Sequence, residues 1–183
     1  RDSDGVVDGR STDPLSSDTD ADGLIDGIEV IGWKIRIVDF GVREVIVRSD
    51  PGVFDTDGDG LSDSVEYYDT FTNATDKDTD NDGLEDYREA VDGHPWYDNG
   101  TLVYYFTNAS AFDTDNDGLE DGEEVVDGLD QYITHGNNAD TDGDGLNDGN
   151  EVLFIPRPWQ GATNPLINDT DGDGQPDGCE MQV

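Results

Sequence analysis

Basic residues are scarce in this 183-residue chain, in which 9 Lys and Arg stand against 46 Asp and Glu for a formal charge of −37. With no basic patch to displace counter-ions from a phosphate backbone, nucleic acid is excluded as a partner. The lone cysteine, Cys179, excludes an internal disulfide framework and reads as a free thiol. No apolar run of about 18 residues occurs, so no membrane-spanning helix is expected. The chain has no HExxH, GxSxG or P-loop motif. Its two histidines, His94 and His135, stand in turn-like contexts, so no enzyme activity is expected. The chain opens on Arg1 with no signal peptide, which reads as a processed or partial product. Leu, Ile, Val and Phe supply only 40 residues. Such a thin apolar complement under so large a like charge predicts a chain that does not fold in plain water.

What the chain has instead is patterned acid. Asp outnumbers Glu by 36 to 10 and recurs with Gly at fixed spacing. Six twelve-residue loops share D-T-D-x-D-G-[LQ]-x-D-x-x-E: 18–29, 55–66, 78–89, 113–124, 140–151 and 169–180. The first position holds Asp18, Asp55, Asp78, Asp113, Asp140 and Asp169; the third, Asp20, Asp57, Asp80, Asp115, Asp142 and Asp171. Fifth come Asp22, Asp59, Asp82, Asp117, Asp144 and Asp173, followed by glycine and then Leu24, Leu61, Leu84, Leu119, Leu146 and Gln175. The ninth slot is Asp26, Asp63, Asp86, Asp121, Asp148 and Asp177; the twelfth, Glu29, Glu66, Glu89, Glu124, Glu151 and Glu180. Six residues upstream of each loop begins Ser or Thr, then Asp, Asn or His, then Pro, Ala or Gly, as in Thr12-Asp13-Pro14 and Thr163-Asn164-Pro165. That chemistry predicts an Asx turn before each loop. Residues 1–11 read as a partial repeat continuing an upstream array, and 12–183 as an array of six units.

The spacing suits a hard divalent cation, above all calcium, which takes six to eight oxygens in an irregular shell. Carboxylates at positions 1, 3 and 5 of a tightly coiled loop face inward. Gly at position 6 lets the chain return at φ > 0, so the carbonyl at position 7 faces the ion, and the position-12 Glu closes the shell. Positions 9 and 12 share one face of a helical turn, and the Asp at position 9 is placed to cap that helix. Two carboxylates about 4 Å apart at an effective dielectric near 20 repel by up to about 4 kcal/mol, so five per loop demand a counter-ion. Since each ion carries two positive charges, six calcium ions would bring the chain from −37 to −25 and twelve to −13. Six or more ions, up to two per repeat, are therefore expected. An EF-hand is excluded, because its entering helix would be interrupted by Pro14, Pro51 or Pro165. A calcium sensor would expose a Met-rich groove, and this chain has one methionine, Met181.

These loops resemble the thrombospondin type 3 repeat in the cysteine-poor form found in bacterial and archaeal surface proteins. The segment Asp18 to Trp33 is also similar to the calcium-binding segment of the protective-antigen family of binary toxins. The resemblance implies paired calcium ions, one held by positions 1, 3, 5, 7 and 12 and a second shared by 3, 5 and 12. The expected fold is a calcium-stapled, elongated repeat of mostly irregular loops, with short helices after each acidic loop and no single large core. Small β-hairpin inserts are expected near 30–48, turning at Asp39 to Gly41, and near 90–106, turning at Asp98-Asn99-Gly100 with Leu102 to Phe106 as a strand. Sequons at Asn73, Asn99, Asn108 and Asn168 are candidate glycosylation sites. The expected role is extracellular and structural or adhesive: a rigid spacer, stalk or filament subunit that self-associates or meets other surface proteins. The alternative is the calcium module of a secreted binary-toxin component or hydrolase.

Overall fold

The computed structural model describes residues 12–98, 100–126, 132–152 and 163–180. The partial repeat read at 1–11 and the sequon at Asn99 lie outside them. The chain divides into two compact units: Arg1–Asp92 with Asn108–Ala111, and Gly93–Thr107 with Phe112–Val183.

In the first unit, helix α1 (Asp26–Ile31) leads into a hairpin of β1 (Trp33–Val38) and β2 (Val42–Val47). The register pairs Trp33 with Val47 and Val38 with Val42, leaving Asp39 to Gly41 as the turn, as the sequence predicts. Period-two alternation sends Trp33, Ile35 and Ile37 inward and Lys34 and Arg36 to solvent. The inward residues join Leu24, Val47 and Ala74 in one small cluster, with Ile28, Val45 and Tyr67 packed at its edge. Trp33 meets Tyr67 edge-on at 5.3 Å. The outer face carries a Lys34–Glu44 ion pair at 2.7 Å, about two-thirds exposed on both sides and so screened by solvent and of little weight in stability. Helix α2 (Asp63–Val65) is capped by Ser62, whose hydroxyl accepts the Val65 N–H. It widens into a π-helical turn over Glu66–Thr70, and a second such turn spans Arg88–Asp92.

In the second unit, β3 (His94–Asp98) and β4 (Thr101–Tyr105) form the other hairpin, with Asp98 paired to Thr101 and Gly100 at φ +79. The strand ends at Tyr105 rather than Phe106, and Asp98 belongs to β3 rather than to the turn. His94, read from sequence as a turn residue, is the buried first residue of β3, its Nε2 3.1 Å from Thr107 Oγ1. Pro95 is tolerated beside it because a two-stranded ribbon leaves an edge where no N–H is required. Aromatic rings supply much of the packing here. Tyr105 stacks on His135 at 4.0 Å, Trp96 meets His135 at 5.1 Å, and the Tyr105 hydroxyl accepts the Gly136 N–H at 3.3 Å. Helices α3 (Asp121–Val125), α4 (Asp148–Val152) and α5 (Asp177–Glu180) each start at position 9 of a loop.

Short helices and two small hairpins set among irregular loops match the expected fold class. The helices begin inside the loops rather than after them, however, so α1 also takes residues 30–31 of the region read as hairpin. Among the described residues, eleven apolar side chains are buried against twelve carboxylates, six of the latter Asp63, Glu66, Asp86, Glu89, Asp121 and Glu124. A core in which acids outnumber hydrocarbon is the reverse of ordinary burial, because an unpaired buried charge costs several kcal/mol.

Candidate metal centres

Every loop is wound by its own carboxylates. The first Asp accepts the N–H of position 4 through Oδ1 and the N–H of position 6 through Oδ2; in loop 55–66 these run from Gly58 at 2.7 Å and Gly60 at 3.1 Å to Asp55. The same pair recurs at Asp18, Asp78, Asp113, Asp140 and Asp169. Position 3 accepts from the N–H of position 5, and position 5 from that of position 7, as Asp57 from Asp59 at 3.1 Å and Asp59 from Leu61 at 2.7 Å. Carboxylates 1, 3 and 5 are thereby drawn together. Oxygens of Asp18, Asp20 and Asp22 lie within 4.8 Å of one another, as do those of the triads beginning at Asp55, Asp78 and Asp113.

The coil needs two left-handed residues. Position 6 is the predicted glycine, at φ +96 to +113. Position 4 was not singled out in the sequence, yet it is left-handed in all six loops: Ala21, Gly58, Asn81, Asn116, Gly143 and Gly172. Its signal was present, since Gly and Asn tolerate that region and fill five of the six slots. Ala21, at φ +64, is the strained exception. Ala21→Gly is therefore expected to raise stability in saturating calcium by about 0.5–1 kcal/mol, read from the thermal midpoint.

Position 9 does not cap the helix as expected. It is the first helical residue, and its carboxylate instead holds the threonine of position 2. Asp63 accepts the Thr56 N–H at 2.8 Å and the Thr56 hydroxyl at 2.7 Å, and Asp26, Asp86, Asp121, Asp148 and Asp177 do the same. The threonine hydroxyl also accepts from the upstream turn, as Thr79 does from the Asn73 N–H at 2.7 Å. Asx turns form where predicted, for instance with the Gly52 N–H on Asp50 and the Leu166 N–H on Asn164. Thr79 is buried, so the near-isosteric Thr79→Val would strip a donor from Asp86 and an acceptor from Asn73. The expected cost is about 2–4 kcal/mol, measured by urea unfolding in saturating calcium.

Consecutive loops within each unit are joined by the second oxygen of position 5, which accepts the N–H of position 10 in the next loop. Ser64 donates to Asp22 at 2.7 Å, Tyr87 to Asp59 at 3.1 Å, Gly149 to Asp117 at 2.8 Å and Gly178 to Asp144 at 2.7 Å. Gly149 approaches so closely that a Cβ there would fall 2.3 Å from the Asp117 carbonyl oxygen. The position-12 glutamate is anchored by the next unit's Ser or Thr: Glu29 by Ser49, Glu66 by Thr72, Glu124 by Thr134.

After these bonds, specific oxygens are left over. Oδ2 of Asp20, Asp57, Asp80, Asp115 and Asp142 is buried without a hydrogen-bond donor, as are Oε2 of Glu29, Glu66, Glu124 and Glu151. Burial, with like charge from their neighbours, pushes these acids far up. Glu66 reaches about 10, Glu124 about 9, Asp80 and Glu151 about 8, Glu29 about 7, and Asp57, Asp115 and Asp142 about 6. The charges crowding each glutamate include positions 3 and 5 of its own loop: Asp20 and Asp22 for Glu29, Asp57 and Asp59 for Glu66, Asp115 and Asp117 for Glu124. Position-9 acids add to them: Asp63 for Glu29, Asp63 and Asp86 for Glu66, and Asp121 for Glu124. Clustered, buried, oxygen-only donors without N–H partners fit a hard cation and leave a softer metal no sulfur or imidazole. Calcium there would supply the charge and the coordination that these oxygens lack. Asp at 1, 3 and 5 with Glu at 12 would hold it. The leucines at position 7 also serve packing, with Leu24, Leu61, Leu84 and Leu119 buried, whereas Leu146 is half-buried and Gln175 exposed. Loop 169–180 repeats the hydrogen bonds, but Asp171 and Asp173 are exposed.

These shifts set a pH dependence. A carboxyl raised in the folded state favours the metal-free fold below its unfolded value, near 4.5 for Glu and 3.8 for Asp, and that contribution is lost as pH rises through about 6 to 10. In chelator, near-UV circular dichroism should therefore be strongest near pH 5 and fade by pH 8. In millimolar calcium, where the ion requires ionised ligands, the trend should invert.

The bacterial TSP3 repeat profile matches this sequence four times, at residues 55–67, 78–93, 113–128 and 140–153. No curated protein matches the chain. No solved structure matches it. Loops 18–29 and 169–180 lie outside the matched segments yet carry the same hydrogen bonds. Repeated carboxylate cradles, buried oxygens without donors and four profile matches lead to one assignment: residues 55–153 carry bacterial TSP3 repeats and form a calcium-binding repeat module.

Proposed function

We propose that this module is extracellular and structural, acting as a rigid spacer, stalk, adhesin segment or filament subunit rather than as a catalyst. The observation that carries this reading is the bond from position 5 of one loop to position 10 of the next, which ties a metal-ligand carboxylate to its neighbour's backbone. Consecutive loops so linked stiffen together when their ions are bound, as repeats that contact mainly their neighbours do. Extracellular calcium modules bind at about 10⁻⁴–10⁻³ M, which fits a millimolar environment and leaves such a chain unfolded at cytosolic calcium. Among the described residues no helix is long and apolar enough to cross a membrane. In a secreted setting Asn73, Asn108 and Asn168 are the glycan acceptors. In Asn73 and Asn108 the side-chain carbonyl accepts from the hydroxyl of the sequon's own Thr75 or Ser110 at 2.9 Å.

Small-angle scattering of the full chain, titrated with calcium, tests the spacer reading. A fixed, concentration-independent profile at millimolar calcium that collapses into a broad ensemble in EGTA supports it. A profile that stays flexible with every loop loaded contradicts it. Negative-stain images in calcium then separate dispersed particles from filaments.

A further inference from the structure

Lys77 stands directly before loop 78–89, where the other five loops have Ser17, Phe54, Phe112, Ala139 or Asn168. Its side chain reaches back across nineteen residues to the preceding loop, donating from Nζ to the Gly58 carbonyl at 2.6 Å. Gly58 is the left-handed position 4 of loop 55–66, lying between Asp57 and Asp59. The ammonium lowers both of these acids, opposing the burial that raises them. Lys77 is exposed, so the carbonyl bond, rather than packing, holds it at the rim of the cradle.

We propose that Lys77 is a tethered counter-ion for loop 55–66, stabilising that loop when it is metal-free and weakening its hold on a divalent ion. One positive charge beside Asp57 and Asp59 offsets part of the repulsion within the loop, and the same charge repels an incoming cation. Loop 55–66 is thereby less dependent on calcium, and binds it less tightly, than a neutral residue at 77 would make it. The inference rests on calcium as the ion of these loops.

The test requires a signal from this loop, and Tyr87, although it belongs to loop 78–89, carries one. Its ring lies over Gly60, where an added Cβ would sit 3.1 Å from Tyr87 Cδ2, and its N–H donates to Asp59. The corresponding position of the other loops is Gly27, Ser64, Gly122, Gly149 or Gly178. Terbium luminescence excited through tyrosine in the full chain, less the signal remaining in Tyr87→Phe, reports loop 55–66 together with Tyr87's own loop 78–89, and the part that Asp57→Asn abolishes is the step of loop 55–66. Calcium displacement of that signal then gives the calcium affinity. Lys77→Gln and Lys77→Met should each tighten the step of loop 55–66 by about tenfold at low salt, with the gain shrinking in 1 M KCl. Lys77→Arg should leave it at the wild-type value. Circular dichroism in saturating calcium should match wild type for all three variants. An unchanged or weakened step in both neutral variants overturns the proposal, as does a gain confined to Met, since that would assign the effect to the hydrogen bond. No terbium or calcium titration anywhere in the wild-type chain would instead overturn the calcium reading itself.

Discussion

Replacing Glu66 by Gln is expected to move two quantities in opposite directions: calcium binding at loop 55–66 weakens by about a hundredfold, while the metal-free protein becomes more stable at pH 7. Glu66 is fully buried, with Oε1 accepting from Thr72 at 3.3 Å and Oε2 left without a donor. Burial dominates its shift to about 10, and Asp57, Asp59, Asp63 and Asp86 add to it. Below that value the carboxyl in the metal-free fold is protonated and neutral. In the unfolded chain it ionises near 4.5, so holding the proton in the fold costs stability across the whole interval. Gln has the shape of the protonated form and does not titrate, which removes that cost. A bound cation gains only from the ionised form, so the same substitution deletes one of its charged ligands. Urea unfolding in EGTA reads the first effect, and terbium or calcium titration of the loop reads the second. A Gln variant that binds as tightly as wild type would remove Glu66 from the ligand shell. One that loses stability in both conditions would mean its carboxylate serves packing or hydrogen bonding alone.

Much of the local structure was legible in the sequence because each loop is self-contained. Aspartates at 1, 3 and 5 bond the N–H groups two to five residues on, so their spacing alone specifies the coil. The upstream turns were equally readable, since Asx chemistry acts over two or three residues. The first hairpin followed from its alternation and β-branching. Contacts made across sequence were not legible. Nothing in the spacing shows that position 5 serves the next loop as well as its own, because that bond joins Asp22 to Ser64 over 42 residues. The role of position 9 was obscured for a different reason. An Asp at the start of a helix has a strong prior as a cap, and only the geometry reveals that threonine 2 claims it first. His94 was misread because Pro95 suggests a turn, whereas a ribbon edge accommodates it. The left-handed residue at position 4 was visible as Gly or Asn and was overlooked, since Ala21 breaks the pattern.

Bound ions, more than buried hydrocarbon, are expected to hold this fold, because twelve buried carboxylates stand against eleven buried apolar side chains among the described residues. Chelation at pH 7.5, with the ions remaining on the protein counted by mass spectrometry and tertiary structure followed by near-UV circular dichroism, tests this most directly. The predicted result is that the signal from the Trp33 cluster and the aromatic packing around Tyr105 is lost as the last ions leave, and returns when calcium is restored. A chain that keeps its full tertiary signal with no ion bound would contradict the account.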